Sequence, residues 1–201
     1  MVDVYCGISD GKIDEGKCLK SLAGMATRDG DRLRLRLENG QTKTFTTTHQ
    51  ACEAGIYEKC LIYSLQGYFA RHRHFLIDVG FLNHGGTTFL VSARTGKHIR
   101  LDAVPHYSPS GKRLAAVSAS EGDEENSIEI WSTTGDLPRS EWRYTVPEGE
   151  YALYEFAGWD GDDRLKMTVT TRIGGKLHKS LPVEAVHTRE GWKLMPPVLK
   201  E

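Results

Sequence analysis

Asp31-Arg32-Leu33-Arg34-Leu35-Arg36-Leu37 alternates charged and apolar residues, and Glu38-Asn39-Gly40-Gln41 follows at once. Period two places the three leucines on one face of a strand and the arginines in water. Asn-Gly supplies the positive φ of a tight hairpin turn. Thr42 to Thr48 then returns, rich in β-branched residues that suit a pleated, half-buried surface. The pattern predicts a β-hairpin over 31–48.

Outward from this hairpin, the C-terminal side reads as strand after strand. The predicted strands are Leu61–Tyr68, His74–Leu82, Thr87–Ala93, Lys97–Leu101, Arg113–Ala119, Ser127–Ser132, Glu141–Val146, Tyr151–Ala157, Arg164–Thr171, Lys176–Val186 and Trp192–Met195. Glycine-bearing turns separate them: His84-Gly85-Gly86, Thr95-Gly96, Ser110-Gly111, Thr134-Gly135, Gly161-Asp162, Gly174-Gly175 and Glu190-Gly191. No amphipathic helix of ten residues is evident after position 60. The N-terminal side is less patterned: residues 1–30 are polar and glycine-rich, and 49–60 suggest one short helical turn. The reading is an all-β protein, with a cysteine-containing segment over 1–60 and β-sheet units over 61–201 in one compact domain.

The 201 residues suffice for one domain with its own core. Lys and Arg number 26 against 27 Asp and Glu, a net charge of −1, which argues against a dedicated nucleic-acid binder or a polybasic membrane binder. No stretch approaches the ~18–20 apolar residues of a membrane span. Residues 1–30 lack the basic and apolar regions of a signal peptide, so an export signal is expected to have been removed ahead of Met1. All four cysteines, Cys6, Cys18, Cys52 and Cys60, precede residue 61. An even, clustered set reads as two disulfides, of which Cys6–Cys18 with Cys52–Cys60 is the simplest of three pairings. Bridges imply an oxidising space, periplasmic or secreted. The CxxC and HxxxH spacings of a zinc site are absent.

Tyr107-Ser-Pro-Ser-Gly-Lys-Arg-Leu-Ala-Ala-Val-Ser118, followed by Ile128-Glu-Ile-Trp131, resembles a blade of a TolB-like or WD-type β-propeller. Such blades carry an aromatic-Ser-Pro-Asp-Gly turn, and Ser110 stands here in place of the Asp. Gly158-Trp159-Asp-Gly-Asp-Asp-Arg-Leu165 is a looser echo, and Tyr107 to Trp159 is about one repeat of ~40–50 residues. A third unit precedes these, with Thr95-Gly96-Lys97 as its turn. The resemblance implies propeller-like antiparallel sheets: about three blade-like units over 61–195 plus the N-terminal hairpin. It implies burial of Tyr107, Leu114, Ala116 and Trp131. It carries no chemistry, because propellers host unrelated functions.

Three turns stand out as partner-binding candidates. Arg71-His72-Arg73-His74 is basic. Ser108, Ser110, Gly111 and Lys112 form the blade-like turn. Glu121, Asp123, Glu124 and Glu125 form an acidic loop between two strands, and acidic tips speed encounter with a basic partner. Asp160-Gly161-Asp162-Asp163 has Asp-x-Asp spacing but lacks the further ligands and terminal Glu of an EF-hand. No nucleophile elbow or phosphate-binding glycine loop is present, so no catalytic residue, cofactor or metal is assigned. The expected function is non-enzymatic binding of another protein in the periplasm or outside the cell. In size and class the chain is similar to periplasmic inhibitors of cell-wall hydrolases and to immunity proteins against secreted toxins. Lysozyme inhibitors of that kind insert a Ser-Gly loop, to which Ser110-Gly111 would correspond. The alternatives are a metal-dependent hydrolase using His72, His74 and an acid from Asp160–Asp163, or an envelope-assembly scaffold.

Overall fold

The computed structural model describes residues 3–9, 12–56, 59–81, 86–120 and 126–196. The chain divides into two compact units, Met1–Leu101 and Asp102–Glu201. The boundary read from sequence, after residue 60, differs from this division. The elements ahead of residue 60 fasten to strands that follow it, so they share one core.

In the first unit the order is β1 (Val4–Tyr5), β2 (Ile8–Ser9), β3 (Lys12–Ile13), α1 (Glu15–Ser21), β4 (Ala26–Asp29), β5 (Arg32–Arg36), β6 (Thr42–Thr46), α2 (His49–Glu53), β7 (Leu61–Phe69), β8 (His74–Phe81), β9 (Gly86–Ser92) and β10 (His98–Leu101). Strands β7 to β10 form an antiparallel meander, extended by β1 on the β7 edge; β4-β5-β6 form a second sheet, and β2-β3 a short ladder. The predicted hairpin is β5–β6, with Leu33 opposite Phe45. Leu33, Leu35 and Phe45 are buried with Leu65, Tyr68, Phe75, Ile77, Val79 and Val91 of the larger sheet. The hairpin's turn also docks: Glu38 N–H donates to the Ala93 carbonyl at 2.8 Å.

The stretch before residue 30 is more structured than its periodicity suggests. Asp14 caps α1 by accepting from the Lys17 N–H at 3.2 Å. Glu15 receives Arg28 at 2.9 and 2.6 Å and the Leu65 N–H at 2.7 Å, tying α1 to β4 and β7. Two disulfides join Cys6 to Cys18 and Cys52 to Cys60. The first clips β1 to α1 inside the core, where both cysteines are buried. The second closes the α2 loop.

The second unit contains β11 (Pro105–Tyr107), β12 (Arg113–Val117), β13 (Ser127–Ser132), β14 (Arg139–Thr145), β15 (Ala152–Asp160), β16 (Arg164–Ile173), β17 (Lys176–Thr188) and β18 (Gly191–Leu194). They form two four-stranded antiparallel meanders, β11 to β14 and β15 to β18. Ala115, Ile128 and Ile130 of the first pack with Tyr154, Leu165, Met167, Val169, Val183, Ala185 and Trp192 of the second. Trp159 donates its indole N–H to the His106 carbonyl at 3.0 Å, and the His106 ring stacks on Phe156 at 3.8 Å. Leu114 and Ala116 are buried as expected, whereas Tyr107 and Trp131 are only half-buried. The all-β expectation holds. No helix among the described residues is long and apolar enough to cross a membrane.

Candidate protein-binding surface

The Arg71–His74 segment forms the tight connection between β7 and β8. Arg73 takes a positive φ of 58°, unusual for a residue with a side chain, and its carbonyl accepts from the Ala93 N–H at 2.8 Å. Its guanidinium pairs with Glu38 at 3.1 Å. Asp3 accepts from the Ala70 N–H at 2.7 Å. The rings of His72 and His74 stack with centroids 6.4 Å apart. His74 is buried, so this turn presents Arg71, Arg73 and a half-buried His72 to solvent. Burial pushes His72 down to about 4, helped by the neighbouring His74 and by the Arg71 charge. It therefore stays neutral at physiological pH.

The Ser108–Lys112 turn connects β11 and β12. Gly111 has φ 72° and closes the turn through its N–H to the Ser108 carbonyl at 2.8 Å. Ser108 and Gly111 are buried, while Pro109 and Lys112 are exposed and Ser110 is half-buried. Ser110 donates its hydroxyl to Asp162 at 2.5 Å and its N–H to the same carboxylate at 3.3 Å. Hydrogen bonds from Ser110 and Ser108 hold the Asp162 carboxyl below its ordinary range. Ser110 thus finds a carboxylate 52 positions along the chain, the same interval that separates Tyr107 from Trp159.

Arg113 completes this corner. It donates to Glu141 at 2.7 Å, to Asp163 at 2.5 Å and to the Asp162 carbonyl at 3.1 Å. Its guanidinium also lies 5.2 Å from the Trp192 ring centre, and the Trp192 N–H donates to Glu141 at 3.1 Å. The acids and the serine at this corner are engaged in holding two sheets together.

Glu121, Asp123, Glu124 and Glu125 lie outside the described residues, as does His84 with Gly85. The stem of the acidic loop is described. Asn126 accepts from the Ser120 N–H at 2.5 Å and donates to the Ser120 carbonyl at 3.1 Å. Beside the stem, Glu129 is buried with 4% exposure; it binds Arg143 at 2.9 Å and accepts from the Asp102 N–H at 3.1 Å. Burial pushes its carboxyl up, against the pull of the Asp102 N–H and Arg143. Asp102 binds the same arginine at 2.7 Å.

The hydrolase alternative needs His72, His74 and an acid from Asp160–Asp163 at one point. Among the described residues, no group of three or more His, Cys, Asp or Glu side chains is placed to hold a metal ion. Sequence reading identified Gly174-Gly175 as a turn but missed what surrounds it: residues 164–183 hold five Lys or Arg and no Asp or Glu. Local charge counting was the available signal. No known protein-family model and no curated protein sequence matches the chain.

Proposed function

We propose that the protein is a non-catalytic protein-binding module of the periplasm or extracellular space, acting as an inhibitor of, or immunity protein against, a cell-wall hydrolase or secreted toxin. The observation that carries this reading is the corner around Arg113. There the side chains best suited to catalysis, Ser110, Asp162, Asp163 and Glu141, are bonded to one another or to Arg113. Such a lattice makes a turn rigid, and rigid turns are good recognition platforms because little ordering entropy is lost on binding. The two disulfides agree with an oxidising compartment. A propeller-like build of the antiparallel meanders belongs to the same proposal.

The test is export of the tagged chain to a periplasm, capture of partners after mild crosslinking, and titration of the captured enzyme with purified protein. Stoichiometric inhibition is expected. Reversal of Glu124 and Glu125 to Lys should weaken the complex by about tenfold with folding unchanged. Absence of any specific partner, together with turnover in a metal-supplemented substrate screen, would overturn the reading.

A further inference from the structure

The β16–β17 hairpin outgrows its sheet. Strand β15 begins at Ala152, opposite Thr171 of β16. Beyond that pair, β16 and β17 continue for two rungs, Arg172 opposite Leu177 and Ile173 opposite Lys176. Gly174 and Gly175, with φ of 57° and 78°, close the arm in the positive-φ geometry that a two-residue turn requires. On the other side β18 reaches only Ala185 to Thr188, so the β17 edge ahead of Glu184 has no strand neighbour among the described residues. Residues 172 to 177 are all exposed.

This arm is both apolar and cationic. Ile173 is 37% exposed and Leu177 49%, two of the few large apolar side chains at the surface. Arg164 is paired with Glu184 and Lys166 with Asp160, whereas Arg172, Lys176 and Lys179 have no carboxylate partner among the described residues. Arg172 instead lies over the Tyr151 ring at 5.4 Å. Residues opposite each other on a rung share a face, and successive rungs face opposite ways. One face of the arm therefore carries Ile173 with Lys176, and the other Leu177 with Arg172.

We propose that this arm enters an acidic cleft on the partner protein, an inference that rests on the binding-module reading above. A flat surface covers one face of an arm, whereas a cleft covers both, and here both faces carry the same apolar-plus-cation pair. The charge complement is a cluster of carboxylates, which is what the active-site cleft of a glycoside-cleaving enzyme contains. A lipid bilayer fits less well. The rung next to the turn sets Lys176 beside Ile173, so burying the isoleucine in hydrocarbon would take an ammonium with it.

The test uses the full chain with its disulfides intact and two double variants of equal charge change. K176E/K179E alters the arm, and R32E/R36E alters exposed arginines of β5. Binding is measured to poly-L-glutamate and to phosphatidylglycerol vesicles, with thermal unfolding as the folding control. Wild type should bind poly-L-glutamate in a salt-sensitive way, the arm variant about tenfold or more weakly, and the β5 variant within about twofold of wild type. Equal loss in both variants, no loss in the arm variant, no wild-type binding, or tighter binding to vesicles would overturn the proposal; an unaffected arm variant would leave the lysines as guards of an open strand edge. A captured partner that binds K176E/K179E as tightly as wild type would leave the binding module standing and remove the arm from its interface. Arm-dependent poly-L-glutamate binding without any captured partner would do the reverse.

Discussion

At the scale of single residues, Gly67 has the least room of the described glycines. It lies just past an irregularity in the β7 register, where β1 pairs, with Tyr5 opposite Gly67, and a Cβ there would sit 2.5 Å from the Val4 carbonyl oxygen. That oxygen is backbone, so Gly67→Ala must displace β1, which the disulfide through Cys6 holds to α1. The expected loss is about 1–3 kcal/mol, as for other overpacked sites, read from urea unfolding; an unchanged midpoint would mean that β1 is free to move. Histidines set a second residue-scale expectation. Burial lowers His72, to about 4, and also His98 and His106. Below the ordinary histidine value of about 6.5, the unfolded chain binds protons that the folded chain refuses. Stability from these groups is therefore full above that value and is lost as pH falls toward the folded values. His72→Gln should flatten the decline in unfolding midpoint between pH 7 and 5. A decline as steep as that of wild type would contradict the assigned burial.

Elements separate what was legible from what was not. Strands β7 to β10 and β12 to β18 announce themselves, some by two-residue alternation, as in β16, and others by short buried runs rich in β-branched and aromatic residues, as in β8 and β9, with glycine-bearing turns between many of them. Helix α1, strand β1 and strand β11 are seven, two and three residues long. Such pieces are too short to show a period, and partners far along the chain hold the first two: Leu65 for Glu15 and Tyr68 for Val4. The candidate turns were legible as turns, but their chemistry was not. Nothing local to Ser110 reveals that Asp162 receives it. The disulfides give the prediction at this scale. Cys6–Cys18 is buried at both ends among Leu22, Leu65 and Tyr68, while the second bridge is buried only at Cys60, since α2, which carries Cys52, has no buried residue. Replacing Cys6 and Cys18 together by Ser should cost about 2–4 kcal/mol, and more than the same change at Cys52 and Cys60. Urea unfolding of the two variants, with alkylation confirming no free thiol in wild type, checks this; the opposite order would place the stabilising bridge at α2.

Across the whole molecule, one design recurs. Antiparallel meanders supply rigidity, and polar side chains near their ends are used to fasten turns: Glu38 to Arg73, Asp162 to Ser110, Asp163 and Glu141 to Arg113. Among the side chains left outside that fastening are Lys112, Arg172, Lys176 and Lys179, and the apolar Ile173 and Leu177. A surface of this kind suits recognition by turns, with charge directing the encounter and two apolar side chains adding contact. The most direct check is amide hydrogen exchange of the full chain, alone and saturated with its captured partner. The account predicts slowed exchange at Ala70–Arg73, Ser110–Lys112 and Arg172–Ser180 with the strand centres unchanged, whereas protection confined to strand centres, with those turns exchanging as in the free protein, would contradict it.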